Sequence, residues 1–226
     1  SYAVNSNLKL VANAGTSQRI PSFTDLYLDQ RPGNIGNINV ESEKAFQTEI
    51  GFKYNKRNWN FNAYYFYRSI TDFIDWVRLT TNEPWQAQNF GDLSTNGFNT
   101  KVTYLTNLTA NQSLKFSLSY AYLDSDFKNV DEDYNSKYKI ESLKHQLINT
   151  IDYQIGKTNL TVANRYNTRQ SYKSYWITDA RIQHTFNNKI GLYLDAQNIF
   201  KTSYNEAGAI PLPSRWMSLG IKFTGI

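Results

Sequence analysis

His145 and a nearby run of carboxylates are the side chains of this 226-residue chain best equipped for chemistry. An Asp–His pair at the mouth of a β-structure, with further carboxylates to position water, could hydrolyse a bond. His145 opens a strand-like run, and Asp124 and Asp126 lie just across the preceding polar stretch. The spacing argues against catalysis. No Asp-x-His or His-x-Asp pair shares a strand, and His184 falls in the opposite half of its own strand. No Gly-x-Ser-x-Gly nucleophile elbow is present. The chain therefore reads as a non-enzyme. The same stretch, with Asp124, Asp126, Asp131 and Asp133, has an oxygen density that could hold a structural Ca2+. It lacks the glycine and the closing glutamate of an EF-hand loop, so a solvated acidic loop is the favoured reading and no cofactor is expected. There is no cysteine, which excludes disulfides and thiolate metal sites.

The elements that must position these residues are strands. Ten runs alternate apolar and polar residues: about Ser6–Gly15, Phe46–Tyr54, Trp59–Ile70, Gly97–Asn107, Leu114–Tyr122, Leu147–Ile155, Leu160–Tyr166, Trp176–Phe186, Ile190–Gln197 and Met217–Phe223. In the second, Phe46, Thr48, Ile50, Phe52 and Tyr54 oppose Gln47, Glu49, Gly51 and Lys53. Short connections at Asn55–Asn58, Asn107–Gln112, Gly156–Lys157 and Asn187–Lys189 alternate with long ones at about Thr16–Ala45, Thr71–Asp92, Asp124–Lys144, Thr168–Ser174 and Lys201–Ser214. A transmembrane β-barrel has this asymmetry, with tight turns in the periplasm and longer loops outside. A soluble sandwich has no reason to place every long loop at one end. The expected fold is all-β: an antiparallel transmembrane barrel segment of about ten strands in the outer membrane, with its C-terminal end periplasmic.

Composition agrees. Aromatic residues make up 15% of the chain, led by 17 Tyr, and suit strands and interfacial girdles. The mean hydropathy of −0.58 does not oppose a barrel, because only every second residue faces lipid. No run approaches the roughly 20 apolar residues of a spanning helix. The net charge of +5 is spread along the chain with no dense basic tract, so nucleic acid is not an expected partner. Outer-membrane lipid is.

Several segments carry a family resemblance. Gly15-Thr16-Ser17-Gln18-Arg19-Ile20-Pro21 running into Asp25-Leu26-Tyr27, then Gly36-Asn37 through Glu43-Lys44, resemble the first strand and loop of TonB-dependent transporter barrels. Ile38 and Ser42 stand where that pattern usually has proline. Asp179-Ala180-Arg181, Asp195-Ala196-Gln197-Asn198-Ile199-Phe200 with Tyr204, and Pro211-Leu212-Pro213-Ser214-Arg215 continue the pattern in order. Such barrels have about twenty-two strands around a plug. The resemblance implies that residues 1–226 are one domain, the C-terminal part of the barrel. The plug, the N-terminal strands and the TonB-contacting segment would lie elsewhere. Phe223 is followed by Thr224-Gly225-Ile226, whereas these barrels commonly end on an aromatic residue.

A closer similarity is to the cobalamin-transporting group of that family, in forms from Bacteroidetes-like bacteria. It rests on Phe23–Tyr27, Asp72-Phe73-Ile74-Asp75-Trp76-Val77, Glu83-Pro84-Trp85-Gln86 with Asn89, and Ser136-Lys137-Tyr138 with Leu143-Lys144-His145. It implies TonB-energised uptake of a corrinoid. A siderophore or haem receptor is the alternative cargo reading, and a structural or adhesive barrel recruiting a surface lipoprotein is the alternative class. Large planar ligands favour aromatic side chains with a few polar anchors. The candidate contacts are Tyr27 and Arg31 in the first long loop, Trp76, Trp85 and Gln86 in the second, and Tyr172, Tyr175, Tyr204 and Asn205 in later loops.

Overall fold

In the computed structural model, residues 1–130, 133–187, 189–206 and 212–223 are described. They form, in chain order, β1 (Tyr2–Ala3), β2 (Leu8–Arg19), α1 (Phe23–Tyr27), β3 (Asp29–Gln30), β4 (Asn34–Ile35), β5 (Glu43–Lys56), β6 (Trp59–Thr71), β7 (Ile74–Arg78) and β8 (Trp85–Asn89). The second half comprises β9 (Asp92–Thr109), β10 (Gln112–Lys128), β11 (Asn135–Ser136), α2 (Lys137–Glu141), β12 (Leu143–Ile155), β13 (Thr158–Arg169), β14 (Tyr175–Thr185), β15 (Ile190–Gln197) and β16 (Trp216–Phe223). All ten expected strands are present. The motif residue Pro211 and the terminal Thr224–Ile226 lie outside the described residues.

The long strands build one antiparallel meander in the order β1-β2-β5-β6-β9-β10-β12-β13-β14-β15-β16. Register converts the alternation of each strand into two continuous faces, because side chains opposite one another share a face. Ala12, Ile50, Tyr65, Phe98 and Tyr122 are successive partners from β2 to β10. Tyr153, Leu160, Ile182, Leu194 and Leu219 continue the apolar face to β16. The other face carries rows such as Asp152, Thr161, Arg181, Asp195 and Ser218. Arg181 and Asp195 form an ion pair at 3.3 Å there.

The apolar face is uncovered: Ile50 is 60% exposed and Leu219 76%. A contiguous exposed apolar surface of this extent fits a hydrocarbon solvent. A groove of about 760 Å³ on it, bordered by Tyr2, Leu10, Ile50, Phe52, Tyr65 and Phe98, has the lining of an acyl-chain contact. No described helix is long and apolar enough to cross a membrane, which says nothing about strands. On the polar face the Phe66 ring lies over Gly97 and the Tyr193 ring over Gly220, each filling the place of the missing side chain across the strand pair.

A single-layer wall has no interior, so the buried apolar clusters sit at its long-connection end. One is Val40, Ile74 and Ala87, with Leu26 and Trp76 against it. The other is Ile70, Phe73 and Leu93, with Ala45, Phe127 and Tyr138. The latter explains one departure from the sequence reading. Asp124 and Asp126 do not lie in a loop, because β9 and β10 stay paired as far as Asp92 and Lys128. Leu93 opposite Phe127, and a 3.0 Å hydroxyl contact between Thr95 and Ser125, hold that extension.

Replacing Ile50 by Arg is expected to cost about 2–4 kcal/mol when the wall sits in lipid. Asn99→Arg, on the opposite face at the height of the Ile50–Tyr65–Phe98 row, is expected to cost no more than about 0.5 kcal/mol. Denaturant unfolding from lipid vesicles checks the pair, and equal costs would reject the face assignment.

Candidate functional site

Three long connections fold together at one end of the wall. Their short strands make a second sheet in the order β11-β7-β8-β4-β3, with β4 and β8 parallel and the other pairs antiparallel. Sequence reading missed this sheet, since strands of two to five residues carry no periodic signal.

An ionic node anchors it to the wall. Ser22 caps α1 through a reciprocal capping box with Asp25. Arg19, at the end of β2, donates to Asp25 Oδ2 at 2.8 Å and to Glu43 Oε1, at the start of β5, at 2.9 Å. Glu43 also accepts the backbone N–H of Ile74 at 2.8 Å. Asp25 and Glu43 are buried, and one guanidinium serves both. Gly36 is needed where the first loop folds back: a Cβ there would lie 2.7 Å from the Leu26 backbone carbon and 2.8 Å from the Leu28 nitrogen. Asn89 ties the first two loops together. Its Nδ2 donates to the carbonyls of Glu41 (3.0 Å) and Asp72 (2.7 Å), and its Oδ1 accepts from Glu41 N (2.8 Å).

Asp75 joins the second loop to the third. It accepts from the Ser136 hydroxyl, from Trp76 N at 2.7 Å and from Tyr138 N at 3.3 Å. Burial pushes its carboxyl above the usual range; the donors from Ser136, Trp76 and Tyr138, with the nearby Lys137 charge, pull the other way. Beside it, Lys137 Nζ donates to Asn34 Oδ1 at 2.8 Å and lies 5.3 Å from the Trp76 ring and 5.2 Å from the Trp85 ring. The Arg78 guanidinium lies 4.2 Å from the Trp85 ring. Two indoles and two cations from the second and third loops thus meet, with Asn34 of the first loop bound to Lys137. Sequence reading singled out Trp76 and Trp85 but not Arg78, Lys137 or Asn34, whose proximity depends on loop pairing.

The other candidates lie apart from that cluster. Gln86 is exposed beside Trp85 and accepts from Gln88 at 3.1 Å. Tyr27 is exposed on α1 against Phe23, and Arg31 pairs with Asp29 at 2.8 Å in an exposed turn. Tyr175 and Tyr204 pack with ring centroids 4.7 Å apart. The Tyr175 hydroxyl donates to Glu206 at 2.6 Å and accepts from Asn167 at 2.8 Å, which in turn accepts from Gln146. Asn205 is half-buried next to this network and Tyr172 half-buried in the preceding loop. The nine candidates therefore divide between an indole–cation cluster, a tyrosine network and positions outside both, of which Tyr27, Arg31 and Gln86 are exposed.

His145 belongs to none of these groups. It shares a 2.9 Å hydrogen bond with the Tyr120 hydroxyl and packs on Tyr122, on the apolar face. Asp131 lies outside the described residues, and among the described residues no three His, Asp or Glu side chains are grouped to hold a metal.

Comparison with known proteins agrees with this architecture. The family described as "TonB dependent receptor-like, beta-barrel" matches residues 1–199. The vitamin B12 transporter BtuB of Photobacterium profundum is 27% identical over 135 residues, 58% of this chain and 21% of that protein. Among solved structures, the copper transporter OprC superposes with a TM-score of 0.75 at 17% identity, over 98% of this chain and 38% of that one. The FrpB iron transporter of Neisseria meningitidis gives 0.71 at 17% identity, over 98% and 37%. At that identity the likeness is one of fold. The chain spans about a fifth of the curated relative's length.

Two outcomes test this geometry. Arg19→Ala strands two buried carboxylates and should destabilise the docked loops by about 1–3 kcal/mol, read as lost hydrogen-exchange protection of α1 and β7 with the long strands unaffected. Asp75 has a raised folded-state value, so its contribution is complete below the unfolded carboxylate range and lost as pH rises through the folded value. Exchange protection of β7 and β11 should therefore fall as pH rises from about 4 toward neutrality, and Asp75→Asn should flatten that slope.

Proposed function

Because the chain belongs to the TonB-dependent receptor β-barrel family, one of transporters and receptors rather than enzymes, we propose that it forms part of the wall and outer loops of an outer-membrane transporter taking up a corrinoid such as cobalamin. The observation that carries the corrinoid reading is the loop sheet. Of the segments with the closer sequence similarity, Asp72–Val77 and Glu83–Gln86 form a hairpin in the second loop, and Ser136–Tyr138, which begins 61 residues beyond Asp75 in the chain, joins them in one layer. The match to a vitamin B12 transporter over 135 residues supports it.

In this reading the loop end faces outward and the C-terminal end of β16 lies in the periplasm. The ligand rests on the indoles of Trp76 and Trp85 and on the Tyr175–Tyr204 network, with Tyr27, Arg31, Gln86, Tyr172 and Asn205 as rim contacts. Aromatic faces with few polar anchors suit a large planar ring system. Energy would come through TonB acting on a plug outside these residues. A surface lipoprotein seated on the loops is a compatible partner, and a Ca2+ held near Asp124 and Asp126 would be structural.

Calorimetry on the longest natural form of the protein in detergent tests this, with cobalamin as ligand and a ferric siderophore as control. The expected result is cobalamin binding weakened about tenfold or more by Trp76→Ala, the loss of one buried aromatic contact of about 1.4 kcal/mol or more. Siderophore binding without cobalamin binding would sink the corrinoid assignment and move the protein to iron-chelate uptake. A stoichiometric protein partner with no small ligand would favour the adhesive barrel.

A further inference from the structure

Charge is sorted along the height of the wall. The short turns that join its strands are residues 57–58, 110–111, 156–157 and 186–189. These turns and the last residue of β5 carry Lys56, Arg57, Lys157 and Lys189, and no Asp or Glu stands within three residues of any of the turns. The long connections carry both signs, as where Asp29 pairs with Arg31. Lys56, Arg57, Lys157 and Lys189 are all exposed. Among the described residues none of them has a carboxylate within ion-pair distance.

The turns are stitched to neighbouring strands and turns through the backbone. The Leu105 N–H donates to Asn58 O at 3.0 Å, Gly156 N–H to Asn111 O at 2.8 Å and Thr185 N–H to Lys157 O at 2.9 Å. The pairing of β6 with β9 stops at Trp59 opposite Tyr104, yet β9 runs on to Thr109, so the rim steps there. The step holds a groove of about 640 Å³ whose lining includes Arg57, Trp59, Leu105, Asn55, Asn58 and Asn107. Aromatic rings mark the same level. Lys56 is opposite Trp59, whose ring packs on Tyr104 with centroids 4.5 Å apart. Further along, Lys157 Nζ donates to the Phe186 carbonyl at 2.9 Å, and the His184 ring packs on Phe186 at 4.7 Å. Trp59 and Phe186 are exposed. In a transmembrane barrel such rings stand at headgroup depth, where an unopposed cation meets lipid phosphate.

We propose that the short-turn rim binds the phosphodiester headgroup of an anionic glycerophospholipid, with Arg57 in the groove as its anchor and Lys56, Lys157 and Lys189 continuing the site along the rim. A guanidinium can take two phosphate oxygens at once. The asparagine amides beside it can bond glycerol hydroxyls, and Trp59 and Leu105 offer apolar surface where the acyl chains begin. The proposal rests on reading the apolar face as the one in lipid.

The test is native mass spectrometry of the longest natural form of the protein in detergent, offered phosphatidylglycerol or phosphatidylcholine with the same acyl chains. The expected result is preferential retention of phosphatidylglycerol. Arg57 sits in the left-handed region at φ 51°, a conformation that asparagine also tolerates. Arg57→Asn should therefore fold normally and weaken phosphatidylglycerol retention about fivefold, the worth of one cation near a lipid surface, with phosphatidylcholine unchanged. Lys128→Gln, at the long-connection end of β10, should change neither. Equal retention of the two lipids, or equal losses from Arg57→Asn and Lys128→Gln, would overturn the site. Displacement of the lipid by inorganic phosphate at equal concentration would show that the rim reads phosphate alone and would overturn the headgroup assignment. Retention of neither lipid would reject the membrane reading of the apolar face, and the rim site with it. Phosphatidylglycerol held through Arg57 by a protein that binds no corrinoid would support the rim site and reject only the cargo assignment.

Discussion

Backbone pairing in a medium without water is the constraint on which the rest of this structure depends. In hydrocarbon every N–H and C=O must be satisfied within the protein, and for strands that means a neighbour on both sides. The meander meets this locally: each wall strand from β5 to β15 is bonded to the wall strands before and after it. The outer edges of β2 and β16 are the exceptions among the described residues, apart from the two-residue β1. Edges of that length in a membrane call for further strands or for closure. Everything else about the wall follows from its being one layer. Side chains go to lipid or to the polar side, the period is two, and no core forms between its faces.

The stability that a soluble domain draws from a core is moved here to the loop end. Buried apolar residues gather around Ile74 and Leu93, and the buried carboxylates Asp25, Glu43 and Asp75 sit beside them. Each carboxylate collects donors from a different segment. Glu43 takes Arg19 from β2 and the Ile74 amide from the second loop. Asp75 takes Ser136 and Tyr138 from the third. Removing a carboxylate from water is costly unless such donors replace the lost hydration. These groups therefore fix which loops can pack together more than they add net stability.

What was legible in the sequence divides along the same line. The ten long strands were readable because each carries its own alternation, and the two faces follow from register without further information. The extension of β9 and β10 was not readable, because Asp124 and Asp126 look like loop residues until Leu93 is placed opposite Phe127. The loop sheet was invisible for a related reason: Asn34 and Lys137 meet at 2.8 Å across more than a hundred residues of sequence. Trp76 and Trp85 could be singled out by type, but the cations beside them could not. The capping box at Ser22 and Asp25 stood in a recognisable segment, yet its use of Arg19 became evident only in three dimensions.

The indole–cation cluster bears differently on its two tryptophans. The Trp85 ring has Arg78 at 4.2 Å and Lys137 at 5.2 Å, and its backbone N–H donates to Gly33 at 2.9 Å. A planar ligand stacking on that ring competes with cations already there, each worth about 0.5–2 kcal/mol. The Trp76 ring has Lys137 alone, at 5.3 Å, among the described cations. Its ring is the less committed of the two to cations, although it also packs against the Val40, Ile74 and Ala87 cluster. Trp85 thus works chiefly as a clasp that holds the second loop to the first and third, and Trp76 is the ring that the proposed corrinoid reading leaves for the ligand. A loop surface assembled this way is organised in advance, which would lower the ordering cost of binding in the proposed reading. The same residues that close the loops over the wall set the shape of what can rest on them.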